Sequence, residues 1–288
     1  MKVAVTGASG FIGRHVLREL AARREIEIVA VSRRVVDTTE LPKGARHVQL
    51  DIAGTSATDP FELLGRPDIV IHLAWSGLPN YKALDHFESH LVAQYRFLSA
   101  LVRAGLYSLT CTGTCFEYGM RSGELHEGMV TDPSNPYGYA KDALHRQLKL
   151  LQGTAPFQLT WARLFYMYGE GQPSASLFSQ LVAAGQRGDQ SFRMSRGEQL
   201  RDFLPVNEVA KLIVALAIDA CGSDAVNVCS GYPVSVRSLV EGWLAERGWD
   251  MALDLGYYPY PDYEPMAFWG SNSRLRQLLP QFSLQGVR

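Results

Sequence analysis

The sequence has little cysteine, little lysine, no long apolar run and almost no net charge. Its four cysteines, Cys111, Cys115, Cys221 and Cys229, form no C-x-x-C pair, and no histidine cluster shows metal spacing. Neither a disulfide framework nor a metal site is therefore expected, and reduced thiols point to a cytoplasmic protein. No stretch approaches the ~20 apolar residues of a membrane helix. The start, Met1-Lys2-Val3-Ala4-Val5-Thr6-Gly7, reaches glycine too soon for a secretory apolar core. Lys and Arg number 28 against 29 Asp and Glu, a formal charge of −1. That balance excludes a broadly basic surface, so neither nucleic acid nor a membrane is an expected partner. Lysine contributes only Lys2, Lys43, Lys82, Lys141, Lys149 and Lys211; the rest is arginine, the better fork for phosphate.

What the chain does have is ordinary globular chemistry, 47% apolar and 20% charged over 288 residues. That length suits one large domain or two smaller ones. Short β-branched runs alternate with longer amphipathic stretches, as in a parallel sheet wrapped by helices. Strands are predicted at Lys2–Thr6, Glu27–Ser32, His47–Leu50, Ile69–Leu73, Ser108–Thr112 and Leu159–Arg163. Helices are predicted at Phe11–Arg23, Phe61–Leu64, Leu84–Ala104 and Tyr137–Gln152. Beyond Arg163 the rhythm weakens: Gly169–Ser174 and Gly185–Asp189 read as turns, and Tyr257–Pro265 packs aromatics among three prolines. Val206–Ala220 reads as a helix and Ala225–Cys229 as a strand returning to the sheet. The expected class is α/β, a doubly wound parallel sheet over residues 1–165 with 205–230 returning to it. Residues 166–204 and 231–288 would form a smaller interleaved lobe.

Four motifs carry chemistry. Gly7, Gly10 and Gly13, with Ser9, Phe11 and Ile12 between them, follow the first strand and open a helix. Such spacing lets backbone N–H groups meet a pyrophosphate at a helix amino terminus; its plainer reading is a tight turn. The second strand ends Ser32-Arg33-Arg34, without the acid that holds a ribose 2′-hydroxyl. Two guanidiniums there suit the 2′-phosphate of NADP(H), with NAD(H) second, unless they are simply exposed arginines. Asp51-Ile52 is placed to meet adenine, or Asp51 closes a turn. Tyr137 and Lys141, at i and i+4, share a helical face. A phenol acting near pH 7 needs about three units of pKa depression, or ~4 kcal/mol, part of which an ammonium supplies. Finally, Thr112 to Gly119 lies at a strand's carboxyl end, where open α/β sheets bind ligands; Cys115 there is ordinarily a small buried hydrophobe.

In this order and spacing the four elements resemble the extended short-chain dehydrogenase/reductase family of NDP-sugar epimerases, dehydratases and ketoreductases. The resemblance covers nearly the whole chain and implies a Rossmann-like fold. Pro136-Tyr137-Gly138 with Lys141 is similar to the family's active-site helix, implying Tyr137 as acid/base, Lys141 as its partner and Thr114, four residues before Tyr118-Gly119, as the hydroxyl. His72-Leu73-Ala74 resembles the segment lining the cofactor, with Trp75 following it. Arg163 to Gly169 resembles the opening of the sugar-nucleotide site, with Tyr166 and His90 standing where the family commonly has asparagine. Arg201-Asp202-Phe203 resembles an R-D-[FY] stretch, implying Arg201 on the substrate's pyrophosphate. Cys115-Phe116 replaces the acidic pair of the 4,6-dehydratases, and Phe116 replaces the cysteine of the 3,5-epimerases of the GDP-fucose-synthase type, which argues against those two chemistries. Glu117 is expected on the far side of a strand.

Trp75 to Tyr81 and Gly113 to Gly119 look most like the nucleotide-sugar 4-ketoreductases, including those that form dTDP-fucose, and Trp75, Asn80 and Tyr81 are expected near the sugar. The expected reaction is NADPH-dependent reduction of a nucleotide-linked 4-keto-6-deoxyhexose in deoxysugar biosynthesis. An NAD-retaining 4-epimerase is the rival, and a non-catalytic NADP(H)-binding regulator a more distant one. The resemblance also implies a homodimer. The aromatic segment from Tyr257 reads equally as a lid or as surface packing.

Overall fold

Apolar β-branched runs become strands and periodic stretches become helices in the computed structural model, which describes residues 1–36, 39, 41–54 and 59–282. The chain runs β1 (Lys2–Thr6), α1 (Phe11–Ala21), β2 (Glu27–Ser32), β3 (Arg46–Gln49), α2 (Pro60–Leu63), β4 (Ile69–His72), α3 (Leu91–Arg103), β5 (Ser108–Thr114), β6 (Gly123–Leu125), α4 (Pro136–Gln152) and β7 (Gln158–Leu164). It continues through β8 (Tyr166–Tyr168), α5 (Leu177–Arg187), β9 (Ser191–Met194), β10 (Leu200–Pro205), α6 (Val206–Ile218), β11 (Asp224–Val228), β12 (Pro233–Ser235), α7 (Val236–Arg247), β13 (Ala252–Leu255), β14 (Phe268–Gly270) and α8 (Ser273–Leu278).

Seven strands form one parallel sheet in the order β11-β7-β5-β4-β1-β2-β3. This is the Rossmann-like arrangement the alternation predicts. The chain order reverses between β1 and β4, which opens a crevice at the strands' carboxyl ends. Helices cover both faces, so β4 is buried along its whole length. On one face Val16, Leu17 and Leu20 of α1 pack with Leu212, Ile213 and Leu216 of α6. On the other, Phe97, Leu98 and Leu101 of α3 meet Ala140, Leu144 and Leu148 of α4. Each large aliphatic chain so buried contributes about 1.5–3 kcal/mol.

Beyond the sheet, β8, β10 and β12 form a small mixed sheet, while β9 with β13 and β6 with β14 form parallel pairs. A separate apolar cluster there joins Leu181, Phe192, Met194, Phe203, Leu239 and Trp243. No helix among the described residues is long and apolar enough to cross a membrane.

Three local expectations change. The predicted helix Leu84–Ala104 begins instead with a π-helical turn at His86–His90, and only then continues as α3. Gly185 lies inside α5, not in a turn; a side chain there would strike the Trp249 ring at 2.4 Å, so glycine admits the indole. Strand β5 runs on to Thr114 and passes into a 3-10 turn at Cys115–Tyr118. Glu117 therefore points into the core beneath that turn and not across a strand.

Candidate active site

The glycine loop lies between β1 and α1. Gly7 has φ +70°, and a Cβ on it would meet the Ala74 nitrogen at 2.9 Å. On Gly13 a Cβ would meet the Gly7 carbonyl at 2.2 Å, so helix and loop pack at glycine distance only. Gly10 caps α1 without any side-chain hydrogen bond, leaving the first-turn amides uncapped by protein side chains. Such amides with the helix dipole favour a phosphate. Leu73 and Ala74 lie directly above this loop.

At the end of β2 the Ser32 hydroxyl donates to the Arg34 carbonyl at 2.6 Å and is 2.8 Å from His47 Nε2. Ser32 thus shapes the turn that carries Arg33 and Arg34, whose side chains stay exposed. Asp51 accepts from the Ala53 amide at 3.1 Å, which closes a turn, and its side chain stays exposed, with Ile52 beside it half-buried.

Catalytic candidates gather at the carboxyl end of β5. Thr114 caps the 3-10 turn: its Oγ1 accepts from the Phe116 amide at 3.3 Å, and Glu117 closes back on the Thr114 amide at 2.8 Å. Glu117 also accepts from Trp161 Nε1 at 3.0 Å and from Arg163 Nε at 2.6 Å, and it is fully buried. Arg163, read as part of the nucleotide segment, is therefore an internal partner that holds the Thr114 turn. Helix α4 approaches this turn because Gly138 carries no side chain; a Cβ would meet the Phe116 carbonyl at 2.6 Å. Asn135 caps α4, accepting from the Gly138 amide at 2.8 Å, with Pro136 in the first turn.

Tyr137 is thereby buried beside Thr114, ringed by Trp75, Tyr81, His86 and Phe116 at centroid distances of 5.3–6.4 Å. Burial first, then the neighbouring Tyr81 and Glu117, push its phenol well above the ordinary tyrosine value; a hydrogen bond with Thr114 opposes them. The depression expected from Lys141 is not what dominates here. Lys141 is almost wholly buried, and its ammonium donates to the Thr112 carbonyl at 2.8 Å. Burial pulls its pKa down to about 8, against Cys111 and Glu117. Below it His72 is held near 3 by burial and then by the Lys141 charge.

The Trp75 indole lies under Lys141 and donates to His86 Nδ1 at 3.1 Å. His86 Nε2 is 2.8 Å from the Asn80 carbonyl, so the Nε2–H tautomer satisfies both contacts. Nothing in the residue pattern marked His86, and its place depends on the π-turn.

This geometry agrees with the comparisons. Residues 3–229 match the model of the NAD dependent epimerase/dehydratase family. The chain belongs to that family. It is 28% identical to dTDP-6-deoxy-L-talose 4-dehydrogenase (NAD(+)) of Aggregatibacter actinomycetemcomitans over 272 residues, 94% of this chain and 100% of that one. With GDP-6-deoxy-D-talose 4-dehydrogenase of the same organism it shares 25% over 84% of this chain and 78% of that one. The solved structure of MoeE5 in complex with UDP-glucuronic acid and NAD superimposes with a TM-score of 0.81 at 26% identity, covering 100% of this chain and 95% of that one. Family membership places the protein among the NAD(P)-dependent oxidoreductases. Its glycine loop, uncapped α1 terminus and buried Tyr137–Lys141 pair fit a pyridine dinucleotide.

Tyr81, Phe116 and Tyr263 are in mutual ring contact above Tyr137. Cys115 is buried, and burial pushes its thiol up, which suits a packing role. Asn80 is exposed and contributes its backbone carbonyl to His86. Arg201 is buried and paired with Glu264 at 2.9 Å, and the Tyr166 hydroxyl donates to the same carboxylate. Glu264 went unnoticed in the sequence; its signal was an acid among the aromatics of Tyr257–Pro265.

Proposed function

We propose that the protein reduces the C4 keto group of a nucleotide-linked 4-keto-6-deoxyhexose, a dTDP-sugar first among these, using NADPH. The observation that carries this reading is the joint burial of Thr114, Tyr137 and Lys141 at the crevice, beside the glycine loop. Relatives named as 4-dehydrogenases of nucleotide-linked 6-deoxytaloses support C4 of a 6-deoxyhexose as the reacting carbon. When bound, the reduced nicotinamide supplies hydride. The glycine loop and α1 amides hold the dinucleotide's phosphates, with Ser9, Gly10, Phe11 and Ile12 at the turn and Leu73 and Ala74 above it. Arg33, with Arg34 beside it, receives the 2′-phosphate.

Tyr137 gives its proton to the oxygen that becomes the C4 hydroxyl. A phenol pushed upward by burial is held in the protonated form that a reductase needs. Thr114 accepts from the Phe116 amide, so its O–H, which leans on the Tyr137 phenol in the free protein, can turn to donate to the same oxygen. Lys141 stabilises the phenolate left on Tyr137. Phe116, Tyr81 and Trp75 exclude water above the phenol. Residues 166–204 and 231–288 are read as the substrate lobe, with Arg201 on the diphosphate. A homodimer through α3 and α4 completes the reading, because Val92, Tyr139 and Leu150 stay exposed there.

Incubation with NADPH or NADH and a panel of dTDP-, GDP-, UDP- and CDP-4-keto-6-deoxyhexoses, with NMR of the product, tests this. The expected result is stoichiometric NADPH consumption and a new C4 hydroxyl, whose configuration distinguishes the two C4-epimeric products. C4 inversion without net NADPH consumption would identify an epimerase. Tight NADPH binding with no turnover across the panel would identify a non-catalytic binder.

A further inference from the structure

Arg201 is strongly buried, and its guanidinium has an incomplete set of partners among the described residues. Its Nη1 donates to the Leu200 carbonyl at 2.8 Å and the Met266 carbonyl at 3.1 Å. Its Nη2 reaches Glu264 Oε1 at 2.9 Å, and the second carboxylate oxygen is held by the Tyr166 hydroxyl. Nε is buried without any partner. Glu264 thus engages one nitrogen of the Nε/Nη2 edge, where a bidentate anion engages both. The two side chains are only 3% and 8% exposed, so this is an ion pair taken out of water.

Glu264 arrives on the aromatic segment 257–265, which is clasped to the loop after β4. Lys82 meets Asp262 at 2.9 Å and Tyr81 meets Tyr263 ring to ring. The Lys82–Asp262 pair is largely exposed and contributes little. The inner end of the segment is therefore held chiefly at Arg201. A diphosphate that takes both the Nε and Nη2 donors competes with the carboxylate for Nη2, and two anions side by side on one guanidinium repel each other.

We propose that Glu264 is a built-in competitor for the substrate's diphosphate. In the free protein its carboxylate neutralises Arg201, and the diphosphate binds by displacing it and taking both the Nε and Nη2 donors. Glu264 then sets specificity, since a ligand without a diphosphate leaves Arg201 with its internal partner. The inference rests on the reading of Arg201 as the diphosphate ligand.

Calorimetric titration of the full-length protein with inorganic pyrophosphate, and in parallel with dTDP, tests it. Glu264→Gln keeps the size and the Tyr166 contact but removes the competing charge, so pyrophosphate should bind about tenfold more tightly, as expected when a competing charged contact is lost. Tyr166→Phe, which frees the second carboxylate oxygen, should shift affinity in the same direction by a smaller factor. Unchanged or weaker binding in Glu264→Gln, with the fold intact by circular dichroism, overturns the proposal and makes Glu264 a positioning partner of Arg201. If Glu264→Gln does not fold, Tyr166→Phe carries the same test. Arg201→Gln separates the two readings. Loss of pyrophosphate binding there without a gain at Glu264 removes only the competitor, whereas unchanged binding removes the diphosphate assignment and the proposal together.

Discussion

The ammonium of Lys141 stands 4.1 Å from the centre of the Trp75 indole, between that ring and the Thr112 carbonyl. The ring face attracts the cation, but burial outweighs that attraction and lowers the lysine's pKa. The indole is itself fixed by His86, whose other nitrogen is tied to the Asn80 carbonyl. The loop after β4 thus reaches Lys141 through a chain of three contacts. Lys141 gains two features from this: an orientation toward Tyr137 and a burial deep enough to weaken its hold on the proton.

Tyr137→Phe removes the proton donor and leaves the ring contacts with Trp75, His86 and Phe116 in place. The expected result is a loss in kcat of at least ~10²-fold, because general acid catalysis commonly supplies 10²–10⁴-fold. Affinity for the pyridine nucleotide, measured by fluorescence titration, should stay near the wild-type value. A fully active variant would remove Tyr137 from the mechanism.

The pH dependence follows from Lys141, whose pKa lies near 8 in the folded protein. Below that pH the ammonium is present and stabilises the phenolate that develops on Tyr137 as its proton leaves. Between unit charges about 6 Å apart such an attraction is worth about 3 kcal/mol at an effective dielectric near 20, roughly a hundredfold in rate. Turnover in the reductive direction should therefore fall as pH rises through about 8. Lys141→Gln should be slow at every pH and lack this limb; a limb that persists in that variant belongs to another group.

How much of this was written in local pattern depends on distance along the chain. The glycine loop and the Tyr137–Lys141 spacing were legible because their geometry is set within a few residues. Glu117 was misread because alternation across a strand was extended two residues past the point where β5 gives way to a 3-10 turn. His86 was hidden because a π-turn shifts the register that a 3.6-residue period assumes. Arg201 and Glu264 lie on separate elements, and no periodicity joins residues so far apart. Buried ion pairs are properties of packing, and they appear only once the sheets are assembled.

Arg33 is exposed at the turn that Ser32 shapes, so it is free to meet a ligand. Arg33→Ala should lower kcat/KM for NADPH by roughly 10–100-fold, the range of a charge-assisted contact, and leave that for NADH nearly unchanged. Steady-state kinetics with both nucleotides measure the ratio. Equal losses with the two would show that Arg33 serves the fold and not the 2′-phosphate.

Glu117→Leu tests whether the buried carboxylate supports both stability and the placement of Thr114. Glu117 is the partner of Arg163 at 2.6 Å, and both are shielded from water. Removing one charge of such a pair leaves the other buried and uncompensated, at a cost of about 3–5 kcal/mol. Urea unfolding should show a loss of that order. The same oxygens close the turn onto the Thr114 amide and accept from Trp161, so the hydroxyl that faces Tyr137 should also lose its fixed position. Turnover should then fall further than the folded fraction does. Glu117→Leu combined with Arg163→Met removes both charges, and replacing a buried pair by apolar groups is often nearly neutral. The double variant should recover part of the stability, while kcat stays low because the Thr114 turn is still unsupported. If stability and turnover recover together, Glu117 acts through the charge balance of the core alone.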